Sequence, residues 1–152
     1  ATEKPAISFA IEIPDKATDV GDVSISPDGR LIVFEASVDG KNSLYLRSLD
    51  SVELKHLPGT DGGYLPFWSP DNRYIGFFAD GKLKKIDVNG GSTQTICDSG
   101  NSSGGTWNSG GVILFSSQGQ PLRRVAAAGA AVRAGRPGAG EEDRGLVPAG
   151  GG

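Results

Sequence analysis

Trp68-Ser69-Pro70-Asp71-Asn72-Arg73-Tyr74-Ile75-Gly76-Phe77-Phe78 is the stretch whose reading decides the fold. Pro70 presets φ for the second position of a type I turn, and the Asp71 carboxylate can fold back onto the turn's own amides. Asn72 then supplies a left-handed residue, a conformation that Gly and Asn adopt cheaply. Beyond Arg73 the chain becomes aromatic and β-branched, as a buried strand does. The stretch reads as strand, tight turn, strand.

The pattern recurs upstream. Val23-Ser24-Ile25 leads into Ser26-Pro27-Asp28-Gly29-Arg30, with Gly29 where Asn72 stands. Leu31 to Ala36 then matches Tyr74 to Ala79 position for position, Ile32 answering Ile75 and Phe34 answering Phe77. Asp39-Gly40-Lys41 and Asp80-Gly81-Lys82 mark hairpin turns in both copies. A third strand follows in each, Leu44 to Asp50 and Leu83 to Asn89, and then a more polar outer strand, Glu53 to Leu57 and Thr93 to Ile96. A third copy opens at Trp107-Asn108-Ser109-Gly110-Gly111, runs through Val112-Ile113-Leu114-Phe115, turns at Gln118-Gly119 and reaches Leu122 to Val125. Four short strands repeating at about 40 residues are the signature of a β-propeller blade.

A four-stranded blade has two apolar faces and can bury neither by itself, so blades must stack. The expected architecture is all-β: a partial β-propeller of about two and a half four-stranded antiparallel blades, with a disordered C-terminal tail. Residues 23–125 form the blades in this reading. Residues 1–22 precede them: Ile7 to Ile13 alternates as a strand able to close a ring, and Pro14 to Asp22 reads as a polar loop. Residues 126–152 are roughly six-tenths Gly and Ala, which fits a flexible linker or a reading frame that slips near Gly129.

Composition excludes several functions. A net charge of −3, with no basic block upstream of Arg123, leaves no electrostatic footprint for nucleic acid. Cys97 is the sole cysteine, so an internal disulfide and a cysteine-based zinc site are excluded; it reads as a small apolar residue at a strand end. No apolar run approaches the ~20 residues that span a bilayer, so no membrane insertion is expected of this segment. The absence of methionine fits a processed or excised chain, or a gene fragment.

Catalytic patterns fare no better. Gly100-Asn101-Ser102-Ser103-Gly104 matches the nucleophile elbow of serine hydrolases, but an elbow needs a helix after its serine, and here Thr106-Trp107 and a turn follow. The single histidine, His56, lies upstream on a polar strand and reads as a solvated edge residue. Asp87-Val88-Asn89-Gly90 lacks the remaining ligands of a calcium loop, and no metal or other cofactor is expected. Asn101-Ser102-Ser103 is a formal glycosylation sequon. Trp68 and Trp107 occupy equivalent repeat positions and read as packing between blades. Asp61 and Tyr64, in and beside the loop Gly59 to Gly63 that joins one blade to the next, are the candidate contacts for a protein or small ligand docking on the loop face.

The two Ser-Pro-Asp-x-Arg turns, each followed by an apolar strand, resemble the WD40-like repeat called PD40, found in TolB-type periplasmic proteins and in prolyl-oligopeptidase-like propellers. More narrowly, Leu57-Pro58-Gly59-Thr60, Pro66 to Asp71, Ile75 to Asp87 and Gly104 to Asn108 resemble the extracytoplasmic propellers of bacterial membrane-anchored serine/threonine protein kinases. That resemblance implies a non-catalytic binding or sensing module located in the periplasm or otherwise outside the cytoplasm. The kinase chemistry itself is absent: the chain has no Gly-rich nucleotide loop, no Val-Ala-Ile-Lys, no His-Arg-Asp and no Asp-Phe-Gly.

Overall fold

A computed structural model describes residues 6, 8, 10–129 and 133–134. The chain folds into three four-stranded antiparallel sheets, each an ordered meander. The first blade comprises β1 (Ala17–Ile25), β2 (Leu31–Val38), β3 (Lys41–Ser48) and β4 (Leu54–His56). The second comprises β5 (Tyr64–Trp68), β6 (Tyr74–Ala79), β7 (Lys82–Asp87) and β8 (Gln94–Asp98). The third comprises β9 (Ser102–Trp107), β10 (Val112–Ser117), β11 (Arg123–Ala126) and β12 (Arg133–Ala134). Among the described residues there is no helix long and apolar enough to cross a membrane.

The inner strands adjoin one another, β1 beside β5 and β5 beside β9, so the blades fan out from a common hub. Strand alternation assigns each blade's two faces. Val33, Leu44, Leu46 and Leu57 of the first blade meet Trp68, Ile75, Phe77, Ala79 and Ile86 of the second. Phe67, Phe78, Leu83 and Ile96 leave the opposite side of the second blade to meet Ile113, Phe115, Val125 and Ala127 of the third. The outward faces of the end blades stay open. Ile32, Phe34 and Ala36 form a third cluster under Ile11, flanked by Val23 and Ile25, which are 65% and 56% exposed.

The defining turn takes the form its residues dictate. In both copies the serine hydroxyl donates to the aspartate, Ser26 to Asp28 and Ser69 to Asp71, each at 2.6 Å. The same hydroxyls accept from the amides of Leu31 and Tyr74, and the aspartates accept from the amides of Arg30 and Arg73. Gly29 and Asn72 adopt φ of 75° and 63°, the left-handed region the sequence requires of them.

Two elements depart from the sequence reading. No strand forms over residues 10–14, and Ile7 and Phe9 lie outside the described residues; Ile11 packs its side chain on the first blade's open face without joining a sheet edge. The stretch read as a polar loop instead supplies β1, held by pairing with β2 through two register shifts. Apart from half-buried Ala17 and Ser24 its residues are exposed, because no neighbouring blade among the described residues covers this side of the first sheet, whereas the inner strand β5, with a blade on each side, buries Phe67 and Trp68. At the other end, β12 pairs with β11 and completes the third blade from within the stretch read as a linker. The disordered tail expected over 126–152 is ordered where it is described at its start, Ala126 ending β11 and Ala127 buried at the second interface, and the rest of that expectation, with the frame slip, falls on residues 130–132 and 135–152, outside those described.

Candidate functional site

The meander places the Ser26–Arg30 and Ser69–Arg73 turns at one end of the blades and the Asp39-Gly40 and Asp80-Gly81 hairpins at the other, since Leu31 pairs with Ser48 and Ala17 with Val38. The loop of Asp61 lies at the hairpin end. Asp61 is exposed and accepts a hydrogen bond from the Ser43 hydroxyl at 3.1 Å, while the Gly62 amide donates to Asn42 O at 2.7 Å. These bonds staple the loop to the first blade. Tyr64 opens β5; its hydroxyl accepts from the Ser102 amide at 3.2 Å and its ring lies 6.0 Å from that of Phe78. Tyr64 is thus a strut between the second and third blades, and the structure gives it and Asp61 separate local roles.

An opening that could hold a ligand lies at the other end, between the second and third blades. It is a groove of about 430 Å³ lined by Ser69, Pro70, Asp71, Tyr74, Trp107 and Asn108, with Ala127 beneath. Tyr74 and Trp107 stack at 6.1 Å with an interplanar angle of 18°. Lys85 Nζ lies 5.1 Å from the Tyr74 centroid and donates to Ala127 O at 2.9 Å, and the Arg73 guanidinium lies 5.0 Å from the same ring. Arg73 also pairs with Asp87 at 3.1 Å. Asp71 is held below its ordinary pKa by the Ser69 hydroxyl and, after that, by the Arg73 amide, so it is ionised at neutral pH.

Comparison with the first interface explains why this groove is open. There the position of Tyr74 is held by Leu31 and that of Trp107 by Trp68, which is buried and donates its indole N–H to Ser24 O at 3.0 Å. The Asn72 side chain accepts from the Asp28 amide at 2.9 Å and bridges the two turns. The third turn is one residue shorter and carries Gly111, φ 76°, where Asn72 stands. Gly111 has no side chain with which to repeat the bridge. Asn108 rebuilds the turn by accepting from the amides of Gly110 and Val112 at 2.9 and 3.0 Å.

The hub side carries a second polar feature. Glu35 lies against Gly21, where an added Cβ would fall 1.9 Å from Oε1, and its Oε2 is buried without a protein hydrogen-bond partner. Burial and then the charge of Asp22 raise its pKa above the ordinary 4.5. A carboxyl raised on folding contributes most to stability when protonated, so its contribution is full below pH 4.5 and falls as pH rises through the folded value. Glu35→Gln, which carries no charge to bury, is expected to raise Tm at pH 7 and to flatten the decline above pH 4.5, as followed by thermal melts across pH.

Other candidates resolve simply. Ser102 opens strand β9 rather than a helix, and His56 stands on the first blade with its ring 5.2 Å from Tyr45. Cys97 is half-buried against the second interface, its thiol pKa raised by burial. Among the described residues no group of His, Cys, Asp and Glu is placed to hold a metal ion.

No family model and no curated protein sequence matches the chain. Solved structures do. A TolB protein from Agrobacterium tumefaciens aligns at 21% identity with TM-score 0.62, over 72% of this chain and 46% of that one. The fold is that of β-propeller blades. The propeller domain of the Trilobed protease from Pyrococcus furiosus, described as having an open velcro topology, aligns at 16% identity and TM-score 0.61 over 78% of this chain and 43% of that one. A puromycin hydrolase aligns at 17% identity and TM-score 0.63 over 78% of this chain and 22% of that one. The chain thus spans less than half the length of each of these three propeller-bearing proteins.

Proposed function

We propose that the chain is a non-catalytic propeller module that binds a protein or small ligand outside the cytoplasm, as the sensing part of a receptor-like serine/threonine kinase. The observation that carries the binding role is the groove walled by Tyr74 and Trp107, at a place that Asn72 bridges in the preceding interface. The kinase connection is supported by the motif resemblance from Leu57 to Asn108. Asp61 is a further contact at the hairpin end, with Tyr64 bracing the strand that leaves its loop.

A second reading is favoured by the likeness to peptidase propellers: the module would restrict access to an active site on another domain. A third, favoured by the TolB likeness, is a periplasmic partner of an envelope protein. Flanking gene sequence separates them. An upstream kinase domain and membrane helix is the expected result; a downstream α/β-hydrolase domain or an upstream signal peptide alone would replace the kinase reading. The binding role is tested by screening a small-molecule and peptide fragment library against the isotope-labelled chain by NMR. Shifts should gather at Tyr74, Trp107 and Asn108, and a scatter without focus there would remove the groove from consideration.

A further inference from the structure

We propose that the groove between the second and third blades binds a neutral saccharide, an inference that rests on the binding role given above. The rings of Tyr74 and Trp107 both line the groove, near-parallel with centroids 6.1 Å apart, beyond the about 3.5–4 Å of fully overlapped contact, and with Arg73 and Lys85 over Tyr74 it is Trp107 that offers the groove the less encumbered ring. Both residues are half-buried. A flat aromatic face suits the apolar C–H face of a sugar ring, which would otherwise be stacked against water.

The rim supplies what the edge of such a ring needs. Asp71 spends Oδ1 on Ser69 and Arg73, which leaves Oδ2 for a ligand hydroxyl. Asn108 spends Oδ1 on Gly110 and Val112, which leaves its amide N–H donors, and the Ser109 hydroxyl stands exposed beside it. An acceptor, a donor and a hydroxyl around an aromatic wall match the mixed donor and acceptor character of vicinal sugar hydroxyls. The charges point to a neutral ligand: Asp71 repels an anion, and the nearby cations are engaged, Arg73 with Asp87 and Lys85 with Ala127 O. The volume, about 430 Å³, lies within the range of small-ligand sites and admits a short oligosaccharide.

The test titrates the full chain with cellohexaose, maltohexaose and chitohexaose, following the indole N–H resonances. The chain has two tryptophans. The Trp107 resonance is expected to shift saturably with at least one of the three sugars, while that of Trp68, buried in the other interface, stays put. Ser109→Trp, on an exposed turn away from the core, fills the groove and should abolish the shift. Asp71→Asn keeps the turn acceptor and should weaken binding at least tenfold. No shift with any sugar at 10 mM, together with fragment shifts at Tyr74 and Trp107 that Ser109→Trp abolishes, overturns the saccharide and leaves the groove's binding role standing. No shift with sugars or fragments removes both. Sugar binding that Ser109→Trp leaves intact places the site elsewhere and likewise overturns the proposal.

Discussion

Phe78→Ala is expected to lower the unfolding free energy by about 3–5 kcal/mol, read from the midpoint and slope of urea denaturation. Phe78 is fully buried at the second interface, its ring 5.9 Å from Phe67, 6.0 Å from Tyr64 and 6.3 Å from Phe115. Truncation leaves a cavity that these neighbours are poorly placed to fill. Phe67 is pinned over two glycines: a Cβ on Gly76 would lie 2.4 Å from its ring and one on Gly105 2.9 Å. Tyr64 is held by the Ser102 amide. The full transfer and cavity costs should therefore appear, and Phe78→Leu, which keeps most of the volume, should cost less than half as much. Hydrogen exchange should locate the loss, with amides of β9 to β11 losing more protection than those of β2 and β3. A loss under 1 kcal/mol would mean that the second and third blades do not pack as described.

What the chain discloses in its sequence is what its neighbours along the chain decide. The Ser-Pro-Asp-x-Arg turn closes on its own hydroxyl, carboxylate and amides, so Asn72 and Gly29 could be placed in the left-handed region before any fold was known. The Asp-Gly hairpins were equally plain, with positive φ at Asp39, Gly40, Asp80 and Gly81. β1 was hidden because its Asp19 to Asp22 segment is held by backbone pairing and interrupted by a bulge, neither of which leaves a mark in side-chain alternation. Of the alternating stretch Ile7 to Ile13, the part over residues 10–13 forms no strand for the converse reason: apolar spacing makes a strand only where a sheet edge is available, and Ile11 finds a face. β12 is a two-residue pairing in a Gly- and Ala-rich stretch, without compositional signal.

The groove was illegible for a different reason. Tyr74 reads as an ordinary strand residue and Trp107 as packing, and only the stacking of blades brings their rings together. Two signals were nevertheless present in the repeat alignment. Tyr74 stands where the first copy has Leu31, and the third turn is a residue short, with Gly111 in the place of Asn72. Departures from a repeat at its interfaces mark the spots where stacking cannot be the same twice. Asp61 and Tyr64, beside the loop that joins two blades, also carry local bonds, from the Ser43 hydroxyl and from the Ser102 amide, that no sequence pattern announces.

Trp68→Ala should cost a similar 3–5 kcal/mol, but at the first interface. The indole is buried among Val33, Leu44, Ile75 and Phe77, and its N–H donates to Ser24 O across the blades at 3.0 Å. Trp68→Phe retains much of the apolar contact and removes the hydrogen bond; since Ser24 is only half-buried, water can replace the lost donor, and about 1 kcal/mol is expected from that bond. The comparison with Phe78→Ala then tests the architecture. In a stack where each blade touches only its neighbours, stability is a sum of blade and interface contributions. Trp68→Ala should free the amides of β2 and β3 to exchange while β10 and β11 keep their protection, the mirror of the Phe78→Ala pattern. Because the two side chains belong to separate clusters, the double variant should lose the sum of the single losses within about 0.5 kcal/mol. Identical exchange patterns for the two single variants, or a coupling well beyond that margin, would mean the three blades melt as one body, with the second blade transmitting each loss to the far side.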